Sequence, residues 1–406
     1  MDIDMKIDLT DPAAYESGQP WEQFRWLQDN DPLHWHELPG DEAGFYALTR
    51  YADVKALEGD HERFANEPNS TLFDVNTQGD ATHKNLIFAD APFHTNQRKF
   101  LSPELSPRSV KDFSGHVAKV VDDVIDEVIE TGQCDLATDI GGKLASYVTA
   151  DMMGLPRELL VELYVLSEEI NNTKSITEGQ GLAAMMAMAG HAQSVYDDRK
   201  KDPRGDMVSR MVNGEYNGCP VDPLQFSLDF LLVVNAGGDT TRNVVGGGML
   251  ALFENPDQRA KLMANRDLIP SGVDEMLRWV TPIVYQRRTA TRDTEFGGQA
   301  IKQGTKLASY YGAANRDPRV FRDPGVFNVE RRPNAHVAFG FGRHFCLGSH
   351  LARQELIIMF QQLLARMPDM QQQGPAIWTL PPGVGPTVVG PRSIPVTFAP
   401  GPKINS

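Results

Sequence analysis

The chain has 406 residues, 41% of them hydrophobic, and carries a formal net charge of −15 at pH 7. This acidic balance argues against nucleic acid as a partner, because binding to phosphates requires a basic surface. Three cysteines occur, Cys134, Cys219 and Cys346, without zinc-site spacing, and so sparse a set fits a reducing compartment without structural disulfides.

The N-terminal segment, MDIDMKIDLTDP, is acidic and polar, which is unlike a signal peptide or a transit peptide. No apolar run of about 18 residues occurs further along the sequence, so we expect no membrane span. Together these features predict a cytoplasmic protein.

Apolar periodicity predicts helices through most of the chain. Residues 107–131 place valine, isoleucine and phenylalanine side chains at i, i+3 and i+4 spacing, and Gly132 marks the predicted end of this helix. The same reasoning predicts helices at 223–253, 271–280 and 347–367.

Strand patterns are weaker and lie in two places, residues 43–50 and 284–312. In the second, Gly297–Gly298 and Gly304 break the alternation as in short hairpins. Residues 313–345 are rich in Pro, Asn, Asp and Arg and predict a long coil, and such coils are usually functional. The predicted fold class is therefore mainly α with small β-sheets.

The predicted coil leads into FGFGRHFCLG, residues 339–348. Its glycines, Gly340, Gly342 and Gly348, allow left-handed backbone conformations and close approach to a bulky group. Cys346 stands at the predicted start of a helix, where the helix dipole and free N–H groups favour a thiolate. A thiolate here would be a soft metal ligand, although a lone buried cysteine is more often structural.

Residues 236–241, AGGDTT, fall inside the longest predicted helix. Adjacent glycines in a helix cost roughly 1 kcal/mol each relative to alanine, which is tolerated where something approaches the helix backbone or where the helix bulges. Asp239 and Thr240 place a carboxylate beside a hydroxyl, a pair able to pass protons to a dry reacting centre. The alternative is a hydroxyl bonded back to the preceding turn.

These two motifs together resemble those of the bacterial cytochromes P450. FGFGRHFCLG is similar to the haem-binding pattern F-x-x-G-x-x-x-C-x-G, and AGGDTT is similar to the family's oxygen-binding motif. The resemblance implies the P450 fold, about a dozen helices around a buried haem b, with Cys346 as the axial ligand of the iron. It implies one domain over residues 1–406, with β-containing parts at approximately 30–60, 284–312 and 375–400.

The resemblance also implies which residues surround the haem. His94 and Arg98 match a His-x-x-x-Arg pair, Arg288 matches a strand arginine, and His344 matches a histidine of the cysteine loop. As a set, these would bind the haem propionates, although each alone could be a solvated surface charge. The other haem-contact positions implied are Ala236, Phe339, Gly340 and Gly348.

Two further features follow from the resemblance. Glu275 and Arg278 form an ExxR pair, which alone would be an ordinary salt bridge; by resemblance it is a structural ion pair completed by either Arg331 or Arg332. Segments 70–90 and 165–190 would vary with the substrate. The implied substrate-pocket residues are Asn235, Ile283, Val284, Gln286 and Val388.

The implied activity is monooxygenation, in which one atom of O₂ enters the substrate and the other becomes water. Asp239 and Thr240 would be the catalytic residues that manage the protons. No flavin or reductase domain is attached, so the electrons would come from a separate ferredoxin and ferredoxin reductase. Their docking surface would be a local basic patch despite the acidic total, and the alternative is that the same side chains are scattered solubilising charges. The residues of this basic patch are Lys99, Arg108, Lys111, Arg343 and Arg353.

The runs VVNAGGDTTRN and YQRRTATRDTEFGGQAI look most like bacterial P450s that oxidise sterol side chains, branched lipids and terpenoids. A steroid, terpenoid or other lipid-like substrate is therefore expected, with the enzyme a monomer. One alternative is a biosynthetic P450 acting on a polyketide, peptide or aromatic substrate. Another is a haem-thiolate binding or sensor protein without turnover, which would not need the Asp239–Thr240 pair.

Overall fold

Helices account for most of the regular structure, as the apolar periodicity predicts. The structure is a computed structural model that describes residues 6–38, 43–72, 83–171, 180–216, 218–378 and 386–405. Its α-helices in these ranges are α1 (Trp21–Asn30), α2 (Tyr51–Gly59), α3 (Phe93–Leu101), α4 (Pro107–Val128), α5 (Lys143–Met153), α6 (Arg157–Asn171), α7 (Gln180–Lys201), α8 (Met207–Asn213), α9 (Pro223–Gly238), α10 (Thr240–Glu254), α11 (Pro256–Ala264), α12 (Ile269–Val280), α13 (Tyr311–Ala314) and α14 (Ser349–Arg366).

The helix predicted at 107–131 is α4. Ser106 caps it by accepting a hydrogen bond from a backbone N–H of the first turn, which Pro107 begins. Its valine-rich face packs against α14 in an apolar core that also includes side chains of α10 and α12. The helix ends at Val128, earlier than predicted, and Gly132 follows at a φ of 73°.

The longest predicted helix is in fact two helices, α9 and α10, which meet at Asp239. A Cβ at Gly237 would lie 2.3 Å from the hydroxyl oxygen of Thr149 in α5. A Cβ at Gly238 would lie 2.4 Å from the ring of Tyr164 in α6. The adjacent glycines thus allow α5 and α6 to touch the helix backbone next to the break.

The strands are β1 (Leu33–His36), β2 (Phe45–Leu48), β3 (Phe64–Ala65), β4 (Gln133–Asp135), β5 (Glu215–Tyr216), β6 (Cys219–Pro220), β7 (Tyr285–Ala290), β8 (Thr294–Phe296), β9 (Gln299–Ile301), β10 (Lys306–Tyr310), β11 (Gln371–Gln372) and β12 (Pro395–Thr397). Five of them form a sheet in the order β1-β2-β10-β7-β3, in which only β2 and β10 pair in parallel. Gly297 and Gly298, both at positive φ, turn the β8–β9 hairpin. A mainly α fold with small sheets is confirmed.

The predicted C-terminal β part at 375–400 contributes β12, which pairs with β11 and β4, and a bridge between Ile377 and Ser393. Residues 379–385 of that part lie outside the described residues. The coil predicted at 313–345 is present, since turns and bends without a strand or α-helix follow α13 up to the cysteine loop. Of the helices described, none has the length and apolar character needed to cross a bilayer.

The packing of α14 on α10 brings the two sequence motifs into one region. Helix α14 follows the cysteine loop, and α10 follows the helix break. The carboxyl group of Glu355 on α14 hydrogen-bonds the hydroxyl of Thr241 on α10, and burial raises the pKa of Glu355 to about 8. The cysteine loop and the helix break are therefore attached to a common helix pair.

Candidate functional site

Two of the three loop glycines adopt the backbone conformation that the sequence suggests. Gly340 and Gly342 have φ values of 72° and 71°. A Cβ at Gly342 would also lie 2.3 Å from the backbone carbonyl oxygen of Glu58 on α2. Gly348 has a φ of −85°, so it does not use the left-handed conformation that a glycine allows.

Cys346 is half-buried and lies three positions before the start of α14. Its backbone N–H donates to the carbonyl oxygen of Phe339 at 2.8 Å. Burial raises the pKa of the thiol, and the backbone N–H of Gly348 and the charges of Arg98 and Arg353 oppose this rise. The sequence predicts a thiolate, because a helix start lowers the pKa of a thiol. In the folded chain, desolvation has the larger effect on this pKa and raises it. A bound metal ion would deprotonate a coordinating thiol.

His94 on α3 and His344 in the cysteine loop lie with their ring centroids 4.0 Å apart. The pKa of His94 is lowered to about 4 and that of His344 to about 2, in both cases chiefly by burial. Three nearby guanidinium charges add to both shifts, those of Arg98, Arg288 and Arg343. The structure therefore brings the four predicted propionate ligands into one cationic cluster, with Arg343 added.

The ring nitrogens of the two histidines test whether this cluster suits a haem. Both nitrogens of His94 and Nε2 of His344 are buried without a hydrogen-bond partner in the described part of the chain. Buried polar atoms without partners are rare in folded proteins. Each neutral imidazole has one N–H, and carboxylates placed here would accept a hydrogen bond from it and would offset the guanidinium charges. The cluster therefore fits the two propionates of a haem.

Arg288 has a carboxylate partner that sequence reasoning missed. Its guanidinium donates to Glu58 of α2, and the two side chains are 4% and 1% exposed. The hydroxyl of Tyr311 donates to the other oxygen of Glu58 at 3.2 Å. Glu58 and Arg288 are 230 positions apart in the chain, so no local pattern signals this pair.

Asp239 and Thr240 are adjacent but have different partners. The hydroxyl of Thr240 donates to the carbonyl oxygen of Ala236 at 3.3 Å, and Ala236 is exposed although it lies within a long helix segment. Oδ1 of Asp239 accepts from Arg242 at 2.6 Å and from the hydroxyl of Tyr164 at 2.9 Å. The carboxylate of Asp239 is thus held toward α6. The hydroxyl of Thr240 bonds the preceding turn of the helix, which is the alternative to a proton-transfer role stated for it from the sequence.

The partners of Asp239 connect it with a carboxylate nearer the surface. The hydroxyl of Tyr164 lies 3.0 Å from Oε1 of Glu168. Glu168 is 37% exposed and forms ion pairs with Arg242 and Arg392. These side chains come from α6, α10 and the C-terminal segment. Arg242 stands at i+3 from Asp239, but Tyr164, Glu168 and Arg392 lie far from it in the chain, so the sequence motif contained no signal for those three.

Glu275 and Arg278 form a fully buried ion pair on α12, with contacts of 2.7 and 2.8 Å. Nε of Arg331 donates to Glu275 at 3.0 Å, whereas Arg332 is exposed. Arg331 is therefore the arginine of the coil that completes the set. Buried charges with several hydrogen bonds of this kind fix the coil that leads into the cysteine loop.

The predicted pocket residues divide into two groups. Ile283 and Val388 form a β-bridge, and both are half-buried, as are Asn235 and Gln286. Val284 is fully enclosed and packs in the apolar core beside the main sheet, so it is a core residue in this structure. Within the two variable segments, residues 73–82 and 172–179 lie outside the described part of the chain.

The basic patch is only partly assembled. An open cleft of about 560 Å³ is lined by His94, Thr95, Arg98, Lys99, Ser102 and Arg343. Arg108 and Lys111 are exposed on α4. Arg353 instead donates to Asp274 at 3.0 Å and lies over the ring of Phe339, so its charge is largely offset.

Comparisons with known proteins agree with the resemblance. A family model described as Cytochrome P450 matches residues 191–373. A protein named steroid C26-monooxygenase, from Mycolicibacterium smegmatis, is 34% identical over 399 residues, which cover 97% of this chain and 96% of that protein. The polyketide biosynthesis cytochrome P450 PksS of Bacillus subtilis is 30% identical over 362 residues, 87% of this chain and 89% of that protein.

A solved structure also matches over nearly the whole length. The Mycobacterium marinum cytochrome P450 CYP268A2, in complex with pseudoionone, aligns with a TM-score of 0.87 and 31% identity. The alignment covers 97% of this chain and 99% of the other chain.

Proposed function

The chain belongs to the cytochrome P450 family, and from this premise we propose that it hydroxylates an apolar, lipid-like molecule, with steroids as the first substrate class. The enzyme is a cytochrome P450 monooxygenase. The observation that carries the substrate class is 34% identity, over 97% of the chain, to a protein named steroid C26-monooxygenase.

The cofactor of this family is a haem held by a cysteine thiolate, and we assign it as haem b with Cys346 as the ligand. When bound, the haem carries the oxygen chemistry, in which two electrons and two protons accompany insertion of one oxygen atom. The propionates would be held by His94, Arg98, Arg288 and His344. The remaining haem contacts would be Ala236, Phe339, Gly340 and Gly348.

The residues at the helix break would supply protons. Thr240 presents its hydroxyl beside the exposed Ala236. Asp239 is linked through the hydroxyl of Tyr164, at 2.9 and 3.0 Å, to the partly exposed Glu168. A hydroxyl between two carboxylates can accept a proton from one and pass its own to the other. Protons would therefore reach Asp239 from the side of α6.

The electrons would come from a ferredoxin and its reductase. Lys99, an exposed charge in the cleft beside the cysteine loop and not one of the residues assigned to the propionates, supports a partner that presents an acidic face. The location of this cleft next to Cys346 would shorten the path between the partner and the haem.

Two linked measurements test this function. Reduced protein exposed to carbon monoxide should show an absorption band at about 450 nm, the mark of thiolate ligation in this family. A steroid whose side chain extends to C26, and a matched steroid that lacks the side chain, should then be titrated while the haem band is recorded. The first should shift the band and gain one oxygen atom on turnover, and a response to neither would contradict the steroid assignment.

A polyketide is the second candidate substrate class. It is favoured by 30% identity, over 87% of the chain, to a P450 named for polyketide biosynthesis. Binding and oxidation of a macrocyclic or linear polyketide in the same titration, without a response to either steroid, would select this candidate.

A further inference from the structure

Glu58 is a buried carboxylate that the proposed function leaves unassigned. Its oxygens accept hydrogen bonds from the guanidinium of Arg288 and from the hydroxyl of Tyr311. Burial raises the pKa of Glu58, and the charge of Arg288 and the hydroxyls of Ser309 and Tyr311 oppose this rise. A guanidinium remains charged at any ordinary pH, and its direct contact favours the ionised form of the carboxyl group. A negative charge therefore lies beside one of the arginines assigned to the propionates.

The same cluster touches the cysteine loop. A Cβ at Gly342 would lie 2.3 Å from the backbone carbonyl oxygen of Glu58, and one at Gly340 would lie 3.5 Å from the hydroxyl of Tyr311. Arg288 is carried by β7, so Glu58 and Tyr311 connect that strand with the loop. The position of the Arg288 side chain is thus coupled to the position of the loop backbone.

The guanidinium charges that act on the two histidines of the site balance when Glu58 is included, whereas the exposed Lys99 of the same cleft is outside this set. Arg98, Arg288 and Arg343 all act on the neutral histidine pair of the site. Their three positive charges, less the negative charge of Glu58, leave two, which the two propionates of a haem would neutralise. Without Glu58, one guanidinium charge in a partly dehydrated region would remain unmatched.

We propose that Glu58 is a positioning residue for the haem, holding Arg288 toward the propionates, and that its charge lowers the reduction potential of the haem iron. This inference rests on the proposed function, since it requires a haem at the Cys346 loop. A guanidinium already held by a carboxylate loses less side-chain freedom when it binds a propionate. The potential is lowered because ferric haem carries one more positive charge than ferrous haem, and a nearby negative charge favours the ferric form.

Three variants of the haem-loaded protein separate charge from position. Glu58→Gln keeps the shape of the side chain and removes its charge. Glu58→Asp keeps the charge and shortens the reach toward Arg288 by one methylene. Asp53→Asn is the matched control, since it removes a carboxylate from a half-buried site on the same helix, α2.

Two quantities are measured for each variant, the reduction potential of the haem and the rate of haem loss to an excess of a haem-scavenging protein. Glu58→Gln should raise the potential, while Asp53→Asn leaves it unchanged. Glu58→Asp should keep a potential close to that of the unmodified protein but lose haem several-fold faster. If Glu58 only stabilised the fold, the variants would change the denaturation midpoint, but the effect on the potential and the effect on haem loss would not separate between Glu58→Gln and Glu58→Asp.

Equal potentials in Glu58→Gln and Asp53→Asn would overturn the inference. If Glu58→Gln does not fold, Glu58→Asp decides, because haem loss as slow as in the unmodified protein would also overturn it. The band at about 450 nm in the carbon-monoxide complex is recorded for each sample. A normal band with an unshifted potential rejects the role of Glu58 alone, whereas no band in the unmodified protein rejects the proposed function and this inference together.

Discussion

His94 should make the stability of the haem-free protein depend on pH. Its pKa is lowered from 6.5 to about 4, chiefly by burial and then by the charges of Arg98, Arg343 and Arg288. Between these values the unfolded chain binds a proton at this position and the folded chain does not. Stability is therefore lost as the pH falls through this window, by about 2 kcal/mol at about pH 5.

Urea unfolding of the haem-free protein at about pH 7.5 and about pH 5 measures this loss. His94→Gln should show a smaller decrease in unfolding free energy than the unmodified protein, because it carries no imidazole to protonate. His116→Gln, at an exposed site on α4, is the control and should behave like the unmodified protein. An equally steep loss in His94→Gln would contradict the prediction.

The hydroxyl of Thr240 donates to the carbonyl oxygen of the exposed Ala236, and we expect this hydroxyl to assist proton delivery. Thr240→Ala should retain haem but form several-fold less product per electron pair, with peroxide released in its place. Thr240→Ser keeps the hydroxyl and should retain most of the coupling. Product, peroxide and consumed reductant are quantified together, and unchanged coupling in Thr240→Ala would count against the role.

Gly238 controls how closely α6 packs on α9. The substitution Gly238→Ala would place a Cβ 2.4 Å from the ring of Tyr164, so one of the two helices must move. We expect a loss of about 1–3 kcal/mol in unfolding free energy, as for other overpacked sites. At Gly190 on α7 no atom lies within 4 Å of the added Cβ, so Gly190→Ala should stabilise by up to about 1 kcal/mol. Denaturant titration should show a lower unfolding free energy for Gly238→Ala and a higher one for Gly190→Ala. Equal changes in the two variants would contradict this prediction.

Arg316 joins α1 to α12 through two indole rings. Its guanidinium carbon lies 3.5 Å from the ring centroid of Trp21 and 3.8 Å from that of Trp279. Because a desolvated cation–π contact contributes about 2 kcal/mol, Arg316→Ala should cost roughly 2–4 kcal/mol in unfolding free energy. The control Arg322→Ala removes a side chain that is 97% exposed and should change it by less than about 0.5 kcal/mol. Similar losses in the two variants would argue against the stacked arginine as an anchor.

The features that the sequence predicts well are those contained in one helix or one loop. The α4 helix and the pair formed by Glu275 with Arg278 follow from i, i+3 and i+4 spacing alone. The partners Glu58 and Tyr164 do not, because they lie 230 and 75 positions from the residues they contact. The break at Asp239 is likewise a matter of packing, since neighbouring helices occupy the space beside the two glycines. The partners and the helix break that the sequence did not predict depend on contacts between segments that lie far apart in the chain.

The molecule combines a net charge of −15 with a cationic cleft beside the cysteine loop. The overall charge repels an acidic partner at long range, so association depends on the positive charge that the propionates leave unmatched at this cleft, that of the exposed Lys99. Salt screens exposed charges over about 8 Å at physiological ionic strength, and screening at higher salt weakens the attraction at the cleft. We therefore expect the rate of reduction by an acidic ferredoxin to fall steeply as salt is added.

Lys99 tests whether the cleft itself guides the partner. Lys99→Gln removes one exposed charge from the cleft and should slow reduction several-fold at low salt, with a shallower dependence on ionic strength. Lys302→Gln removes a charge that is 79% exposed, directly after β9 and paired with Asp293; it alters the total charge equally and serves as the control. Stopped-flow reduction at several salt concentrations gives both slopes. If the two variants slow reduction equally, the partner responds to net charge, and the cleft is not its docking site.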